Sequence, residues 1–247
     1  MRIIKNILGG IWATWGLITF VVTFLIIIGP SMISHLFKDF KKGQDFFIAV
    51  SRVWMRFWLF LVGCPVKVMG KENFKKGENY IVVYNHNAFL DVPLSAPFVP
   101  GGNKTIAKDT FLKVPIFAWF YKRGGIMVKR NDPQSRVKSY EAMKDILQQG
   151  IHMCLYPEGT RNRTDKPLKE FYDGAFKLAI DTKKEIIPCL IIGTKEAMPI
   201  HKTFYLKPTK LKMIYLPAVS SENIDVKELN NKVHRIMLDN LEAQDLP

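Results

Sequence analysis

The chain has 247 residues, 48% of them hydrophobic, so it can bury one sizeable core with at most a small appendage. Lysine and arginine number 36 against 22 aspartate and glutamate residues, which gives a formal charge of +14. The expected partners are therefore anionic: phosphates, acidic lipid head groups or nucleic acid. Three widely spaced cysteines without a CxxC pair indicate neither a zinc site nor a disulfide framework.

The N-terminal segment favours an anionic membrane surface over the other partners. No charged residue occurs between Asn6 and Phe37, and Ile7–Gly29 alone is long enough to cross the roughly 30 Å hydrocarbon layer as a helix. A signal peptide has a shorter apolar region, about 7 to 15 residues, that ends in a small-residue cleavage site. We therefore expect a membrane helix that is retained in the protein.

A second apolar stretch, Phe46–Cys64, has Arg52 and Arg56 one helical turn apart. This pattern predicts a helix in the membrane interface, with its arginines directed at lipid head groups. Residues 1–64 are thus predicted to form an N-terminal helical membrane-anchoring hairpin. Residues 65–247 would form a second domain on the cytoplasmic face of the membrane, the inner membrane in a bacterium. The alternative is one ordinary spanning helix followed by a buried amphipathic helix.

After Pro65, short β-rich runs alternate with helical or turn-rich segments. Strand candidates are Tyr80–Tyr84, Lys104–Ala107, Gly125–Lys129, Ile151–Tyr156 and Ile186–Ile192, with further β-like runs at Thr203–Leu206 and Leu211–Leu216. Helices are predicted from the N-cap Asp132 to Gly150, from Phe171 to Thr182, and from Asp225 onwards. This alternation predicts an α/β fold with a mixed, largely parallel sheet flanked by helices.

Polar and charged residues follow four of the strand candidates. The carboxyl ends of parallel strands share one edge of a sheet, and ligands bind outside that edge. The residues that follow the first four candidates are, in chain order, His86 with Asp91, Lys108, Arg130, and Glu158 with Arg161. One candidate base, two carboxylates and three cations are therefore expected to meet at one rim.

The segment YNHNAFLD places His86 five residues before Asp91. If the chain turns between them, Asp91 can accept a hydrogen bond from one imidazole nitrogen. That bond fixes the tautomer and leaves the other nitrogen free to take a proton from a hydroxyl. No GxSxG motif supplies a serine, so the hydroxyl would belong to a substrate. The alternative is a structural histidine beside a strand.

The segment YPEGTRNR combines a glycine with charges of both signs. Pro157 ends the preceding strand candidate, and Gly159 lets the backbone approach a ligand closely. Arg161 and Arg163 can each form two hydrogen bonds with a phosphate. The alternative is a surface loop with an internal Glu–Arg pair, which stabilises a protein little.

Four segments, taken in order, resemble the conserved blocks of the glycerolipid acyltransferases, typified by lysophosphatidic acid acyltransferase. NHNAFLD resembles the NHx4D motif, and GIMVKR, YPEGTR and IIPCLI resemble the second, third and fourth blocks. The resemblance covers residues 65–217. Asn162 and Cys189 depart from the usual residues at their positions, so the preferred acceptor could differ.

The resemblance implies a 1-acyl-sn-glycerol-3-phosphate acyltransferase. It would transfer an acyl chain from acyl-CoA or acyl-carrier protein to lysophosphatidic acid, without a metal or other cofactor. His86 would be the general base, and Asp91 would orient it. Arg130 and Arg161 would hold the acceptor phosphate, and Glu158 would position the glycerol hydroxyl. The full set of implied substrate-binding residues is Lys108, Arg130, Glu158, Gly159, Thr160 and Arg161.

Other function classes fit the sequence less well. An acyltransferase for another lyso-lipid would carry the same motifs. A non-catalytic lipid-binding protein could use the basic rim to recognise phosphate, but it would have no need of His86, Asp91 or Glu158. Nucleic-acid binding is not expected, because the basic residues are dispersed and no known module occurs. A metal hydrolase is not expected either, because the five histidines form no HExxH motif.

Overall fold

The computed structural model describes residues 2–108, 114–129 and 131–244. Its helices are α1 (Arg2–Met32), α2 (Phe40–Leu61), α3 (Asp91–Phe98), α4 (Pro115–Gly124), α5 (Pro133–Gln148), α6 (Gly174–Thr182), α7 (Thr194–Ala197) and α8 (Val226–Gln244). Its strands are β1 (Val66–Met69), β2 (Ile81–Tyr84), β3 (Asn103–Lys108), β4 (Gly125–Val128), β5 (His152–Leu155), β6 (Ile186–Ile192) and β7 (Leu211–Tyr215).

These strands form a single sheet in the order β1-β7-β6-β2-β5-β3-β4. Strands β6 and β7 are antiparallel, and the other neighbouring pairs are parallel. The prediction of a mixed, largely parallel sheet is therefore confirmed. The carboxyl ends of β2, β5, β3 and β4 lie at one edge, as the argument for a shared rim requires.

Helices cover both faces of the sheet, which explains the unbroken apolar run of β2. Val82 and Tyr84 pack with side chains of α2 and α3 on one face. Ile81 and Val83 pack with α5, α6 and α8 on the other face. All four side chains are fully buried. An interior strand of a parallel sheet has to be apolar on both sides for this reason.

Helices α1 and α2 form an antiparallel hairpin, as predicted, and four tryptophan indoles connect them. The indole N–H donates from Trp12 to the carbonyl of Val62, from Trp15 to that of Leu61, from Trp58 to that of Gly16, and from Trp54 to the hydroxyl of Thr23. The indoles of Trp54 and Trp58 are buried, and a buried N–H without a partner would destabilise the fold, so these two contacts fix the register of the helices.

The segment Ile3–His35 is, within the described residues, the one helix long and apolar enough to cross a membrane. Its mean hydropathy is 2.3, and 28% of its most apolar window is buried inside the protein. Large apolar side chains cover the remaining surface of α1, among them Ile7, Ile11, Ile18 and Leu25. Membrane anchoring and the domain boundary after residue 64 stay predictions.

Arg52 was expected to face lipid head groups, but its guanidinium binds within the protein. Its Nε and Nη2 atoms donate hydrogen bonds of 2.7 Å to the carbonyls of Pro97 and Val99, at the end of α3. Carbonyls at the C-terminus of a helix lack partners within the helix, and a guanidinium satisfies two of them at once. Arg52 therefore joins the hairpin to the end of α3.

One strand assignment from the sequence is wrong, and one strand was missed. Thr203–Leu206 is not a strand, because this segment packs against α1: the Leu206 N–H donates to the carbonyl of Gly9 at 3.1 Å. Strand β1 was not predicted. It pairs in parallel with β7, far along the chain, and takes its conformation from that pairing.

Candidate active site

The turn between β2 and α3 closes around the carboxylate of Asp91. Its Oδ2 atom accepts hydrogen bonds from the backbone N–H groups of Asn87 and Ala88, at 2.6 and 2.7 Å, and lies 2.8 Å from His86 Nδ1. Because both amides donate to Oδ2, this atom acts as an acceptor, and the imidazole is its third donor. Nδ1 therefore carries the proton, and Nε2 is left as the acceptor. The Asp91 side chain is fully buried, whereas that of His86 is 15% exposed.

Tyr156, the first residue of the YPEGTR segment, supports both residues, although no role was predicted for it from the sequence. Its ring centroid lies 4.4 Å from that of His86. Its hydroxyl donates to the carbonyl of Asp91 at 2.9 Å and lies 2.8 Å from Ser95 Oγ. Burial raises the pKa of Tyr156 well above its ordinary value, so the hydroxyl stays protonated as a donor. The signal in the sequence was its place at the end of β5, next to β2.

Asn85, the first residue of the NHNAFLD segment, fixes the start of the turn, a role that was not predicted for it. Its side-chain amide donates to the carbonyl of Ile191 at 2.9 Å, and its Oδ1 accepts the Ile191 N–H at 2.7 Å. The side chain thus continues the pairing of β2 with β6 by one more step. This places the chain at the sheet edge before it turns towards His86.

The carboxylate of Glu158 joins the turn after β2 to the loop after β5. Oε1 accepts the backbone N–H of His86 at 2.7 Å, and Oε2 accepts that of Lys169 at 3.2 Å. Glu158 is 1% exposed, and burial raises its pKa to about 6, although the hydrogen bonds from the two backbone amides lower it. Burial closes this carboxylate to a substrate hydroxyl. The geometry thus favours a supporting role over the substrate contact that the resemblance implies.

The loop after Glu158 has a backbone that requires glycine. Gly159 has φ +70°, and a Cβ atom there would lie 2.7 Å from the ring of Tyr172. Lys169, which the sequence did not single out, binds the same loop. Its Nζ donates to Thr160 Oγ1 at 2.8 Å and to the carbonyls of Glu158 and Thr160 at 3.3 and 3.4 Å.

Asn162, a departure from the family pattern, belongs to the supporting structure of this loop. Its backbone N–H donates to the carbonyl of His86 at 2.6 Å. Its side chain bonds the Lys166 carbonyl and the Thr164 hydroxyl within the loop. The unusual residue at position 162 therefore helps to hold the loop after β5 against the turn after β2.

Of the three predicted phosphate-binding cations, the structure describes the side chain of Arg161 alone. Arg161 lies at the site, with its guanidinium carbon 3.6 Å from the ring centroid of Phe89. Lys108 is the last residue of β3, so its backbone reaches the same sheet edge. The side chain of Lys108 and the whole of Arg130 lie outside the described residues.

A cavity of about 770 Å³ connects these residues to the helical hairpin. Its polar end is lined by His86, Thr160, Arg161, Arg163, Thr164 and Lys169. Its apolar end is lined by aromatic side chains of α1, α2 and α4, including Phe20, Phe47, Trp54, Phe117 and Phe120. Cavities of this size and largely apolar lining hold small-molecule ligands. The arrangement suits a ligand with an anionic head and a long apolar chain.

The chain matches a known family of enzymes across this site. The model of the Acyltransferase family matches residues 65–192, which is slightly more than half of the chain. The chain belongs to the Acyltransferase family. The matched segment contains His86, Asp91, Glu158 and Arg161, and it ends with β6.

Relatives within this family carry one recurrent name. The chain is 32% identical over 155 residues to a 1-acyl-sn-glycerol-3-phosphate acyltransferase of Chlamydomonas reinhardtii, covering 60% of this chain and 45% of that protein. It is 28% identical to an enzyme of the same name from Limnanthes douglasii, over 76% of this chain and 68% of the relative. The chain thus spans less than half the length of the first of these family members.

The fold has a counterpart among solved structures. The crystal structure of the 1-acyl-sn-glycerophosphate (LPA) acyltransferase PlsC from Thermotoga maritima superposes with a TM-score of 0.82 at 23% identity. The superposition covers 100% of this chain and 99% of that one. The N-terminal hairpin is therefore part of the fold shared with this Acyltransferase.

Proposed function

We propose that this protein is a membrane-associated 1-acyl-sn-glycerol-3-phosphate acyltransferase that converts lysophosphatidic acid to phosphatidic acid. One observation carries the proposal: His86, paired with Asp91, lines a cavity whose wall combines cationic residues with apolar side chains of the hairpin. The names of the relatives in the family support the same reaction. The donor would be acyl-CoA or acyl-carrier protein, and the reaction requires no metal or further cofactor.

In the proposed mechanism His86 is the general base. Its Nε2 atom takes the proton of the acceptor's free hydroxyl while the hydroxyl oxygen attacks the thioester carbonyl. Asp91 Oδ2, at 2.8 Å from Nδ1, stabilises the imidazolium that forms. The tetrahedral intermediate then collapses, the carbon–sulfur bond breaks, and the leaving thiolate takes the proton from Nε2. The product ester and the free thiol balance the reaction.

The substrates would divide between the two ends of the cavity. Arg161 would bind the acceptor phosphate through its planar fork of N–H groups, with Lys108 and Arg130 as further predicted phosphate ligands. The apolar end, formed largely by the hairpin, would hold an acyl chain. Burial of each methylene from water contributes about 0.8 kcal/mol, so a long chain binds favourably there.

The hairpin would also place the site at a lipid surface. Helix α1 has many exposed apolar side chains, and on α2 the side chains of Val53, Phe57 and Phe60 are exposed at helical spacing. Lys38, Lys41 and Lys42 surround the turn between the two helices and are exposed. Such a surface binds an anionic bilayer through apolar insertion and charge. Orientation towards the cytoplasm stays a prediction.

The proposal is tested by supplying the purified chain with acyl-CoA and acyl-carrier protein separately. The acceptors are lysophosphatidic acid, lysophosphatidylcholine and monoacylglycerol, and mass spectrometry identifies each product. We expect phosphatidic acid as the preferred product, because an acceptor without an accessible phosphate monoester leaves Arg161 unpaired. Transfer only to another lyso-lipid would correct the acceptor. Binding of lysophosphatidic acid without transfer to any acceptor would favour the non-catalytic lipid-binding alternative.

A further inference from the structure

Phe89 and Arg161 come from different segments and form a stacked pair at the polar end of the cavity. Phe89 lies in the turn between His86 and Asp91, whereas Arg161 lies in the loop after β5. The guanidinium carbon is 3.6 Å from the ring centroid, well within the range of a cation–π contact. Phe89 is 62% exposed, and both residues line the cavity together with His86.

We propose that Phe89 is a positioning residue: its ring holds the Arg161 guanidinium at the polar end of the cavity, ready to bind the acceptor phosphate. The inference rests on the proposed function, in which Arg161 binds that phosphate. It assigns a task to a position that the NHx4D motif leaves unspecified.

A guanidinium that stacks on a ring can still bind a phosphate, because of its planar geometry. Stacking uses the flat face of the group, while its N–H groups point outwards in the plane and stay available for bidentate binding of a phosphate. Within the described part of the chain, no aspartate or glutamate forms an ion pair with Arg161. Burial lowers the pKa of Arg161, the nearby Arg163 lowers it further, and Asp91 partly opposes both effects. Among the described residues, the ring of Phe89 is therefore a close contact that can orient this side chain.

The position of the Phe89 ring is itself determined by the turn that orients His86. Asp91 Oδ2 holds the backbone of Asn87 and Ala88 on one side of Phe89, and Leu90 is buried on the other. The backbone of Phe89 thus has little freedom. One turn would then set both the general base and the platform for the phosphate-binding arginine, and so the spacing between them.

The test compares Phe89→Leu, which keeps an apolar side chain but removes the π face, with Phe89→Trp, which keeps a face for the guanidinium. For Phe89→Leu we expect the KM for lysophosphatidic acid to rise about three- to tenfold, the range of a partly desolvated cation–π contact. The kcat and the KM for the acyl donor should stay within about twofold of wild type, because neither depends on the acceptor phosphate. Phe89→Trp should keep the wild-type KM. An unchanged KM in Phe89→Leu would overturn the inference.

A double variant separates positioning from direct substrate contact. If Phe89 acts through Arg161, Phe89→Leu should not lower kcat/KM for lysophosphatidic acid further in an Arg161→Ala background. A further loss equal to that seen in the wild-type background would mean that the ring touches the substrate itself, and would refute the positioning role. Absence of acyl transfer to lysophosphatidic acid by the wild-type chain is a different result, since it overturns the proposed function and the inference together.

Discussion

Glu158 is a buried residue whose side chain connects the two loops of the site. Its carboxylate accepts one backbone amide from the turn that carries His86 and one from the segment that carries Lys169. A buried carboxylate bonded in this way fixes the distance between the two loops. Its effect on catalysis would therefore pass through the position of His86 and not through the substrate.

Glu158→Gln should lower kcat while changing the KM for lysophosphatidic acid by less than about twofold. The glutamine oxygen can accept one amide, but its NH2 group faces the other N–H, and an unpaired buried donor destabilises by about 1–3 kcal/mol. We expect kcat to fall by about tenfold or more. Steady-state kinetics measure the two constants, with the exposed Glu170→Gln as the matched control. A rise in KM at unchanged kcat would instead support the substrate contact.

The hairpin is the element that completes the cavity. Helix α1 contributes Phe20, and α2 contributes Phe47, Ile48, Ser51, Trp54 and Met55 to its wall. The sheet domain supplies the polar end, so the two parts are needed together to hold an amphiphile. This explains why the hairpin is bonded so closely to the rest of the protein.

Ser51→Phe should shift donor preference towards shorter acyl chains. Ser51 is buried on the cavity wall, and a ring at this position would fill part of the apolar end. Each methylene excluded from the cavity loses about 0.8 kcal/mol of binding free energy. Competition between long-chain and medium-chain donors measures the preference, with Ser51→Ala as the control that leaves the space open. An unchanged preference would show that the acyl chain does not occupy this end.

Arg52→Met should loosen the attachment of the hairpin. The variant keeps the apolar stem but removes the two bonds to the carbonyls of Pro97 and Val99. Charge-assisted hydrogen bonds contribute about 1.5–3 kcal/mol each, so the midpoint of thermal unfolding in detergent should fall by several degrees. Arg56→Met is the control, because Arg56 is exposed and its guanidinium carbon lies 5.9 Å from the Phe98 ring. Equal midpoints for the two variants would contradict this account of the attachment.

The stability of the whole molecule should depend on pH through His152. Its Nδ1 atom accepts the Tyr80 N–H at 3.0 Å, and burial lowers its pKa from 6.5 to about 4. The folded state thus favours the neutral ring. The stability that this ring supports is fully present above pH 6.5 and is lost as the pH falls through about 4.

His152→Gln should flatten the acid limb of the stability profile. Glutamine can still accept the Tyr80 N–H but does not titrate. We expect wild type to lose up to about 3 kcal/mol more than the variant between neutral pH and pH 4. Denaturant unfolding at both pH values measures the difference, and His201→Gln, at an exposed position, is the control. Parallel profiles for wild type and His152→Gln would contradict the assignment.

The fold and part of the site follow from local sequence patterns. The apolar run of β2, followed by His86 and Asp91, predicted that the two side chains lie together at the end of a strand. This contact could be predicted because the strand end and the turn depend on residues that are neighbours in the sequence. Strand β1 was missed because four residues acquire their conformation from β7, far along the chain. Helix α3 was not predicted, because it contains Pro93 and Pro97 and proline usually interrupts a helix. Pro93 lies in the first turn of the helix, where proline is tolerated.

The supporting residues could not be predicted in the same way. Asn85 and Tyr156 belong to the quoted motifs, whereas Lys169 does not. All three act mainly on backbone atoms of other segments, and the sequence does not show which backbone atoms will lie near a side chain. The resemblance carried the role of Glu158 from its motif, but only the structure shows that two amides occupy its carboxylate. Long-range geometry therefore determines which motif residues can reach a substrate.

The general-base role of His86 is tested most directly by acyl transfer in His86→Ala. We expect a folded protein that binds vesicles as wild type does, with transfer to lysophosphatidic acid reduced by about 10²- to 10⁴-fold. His201→Ala, outside the site, should retain wild-type transfer. Near wild-type transfer by His86→Ala would contradict the proposed mechanism.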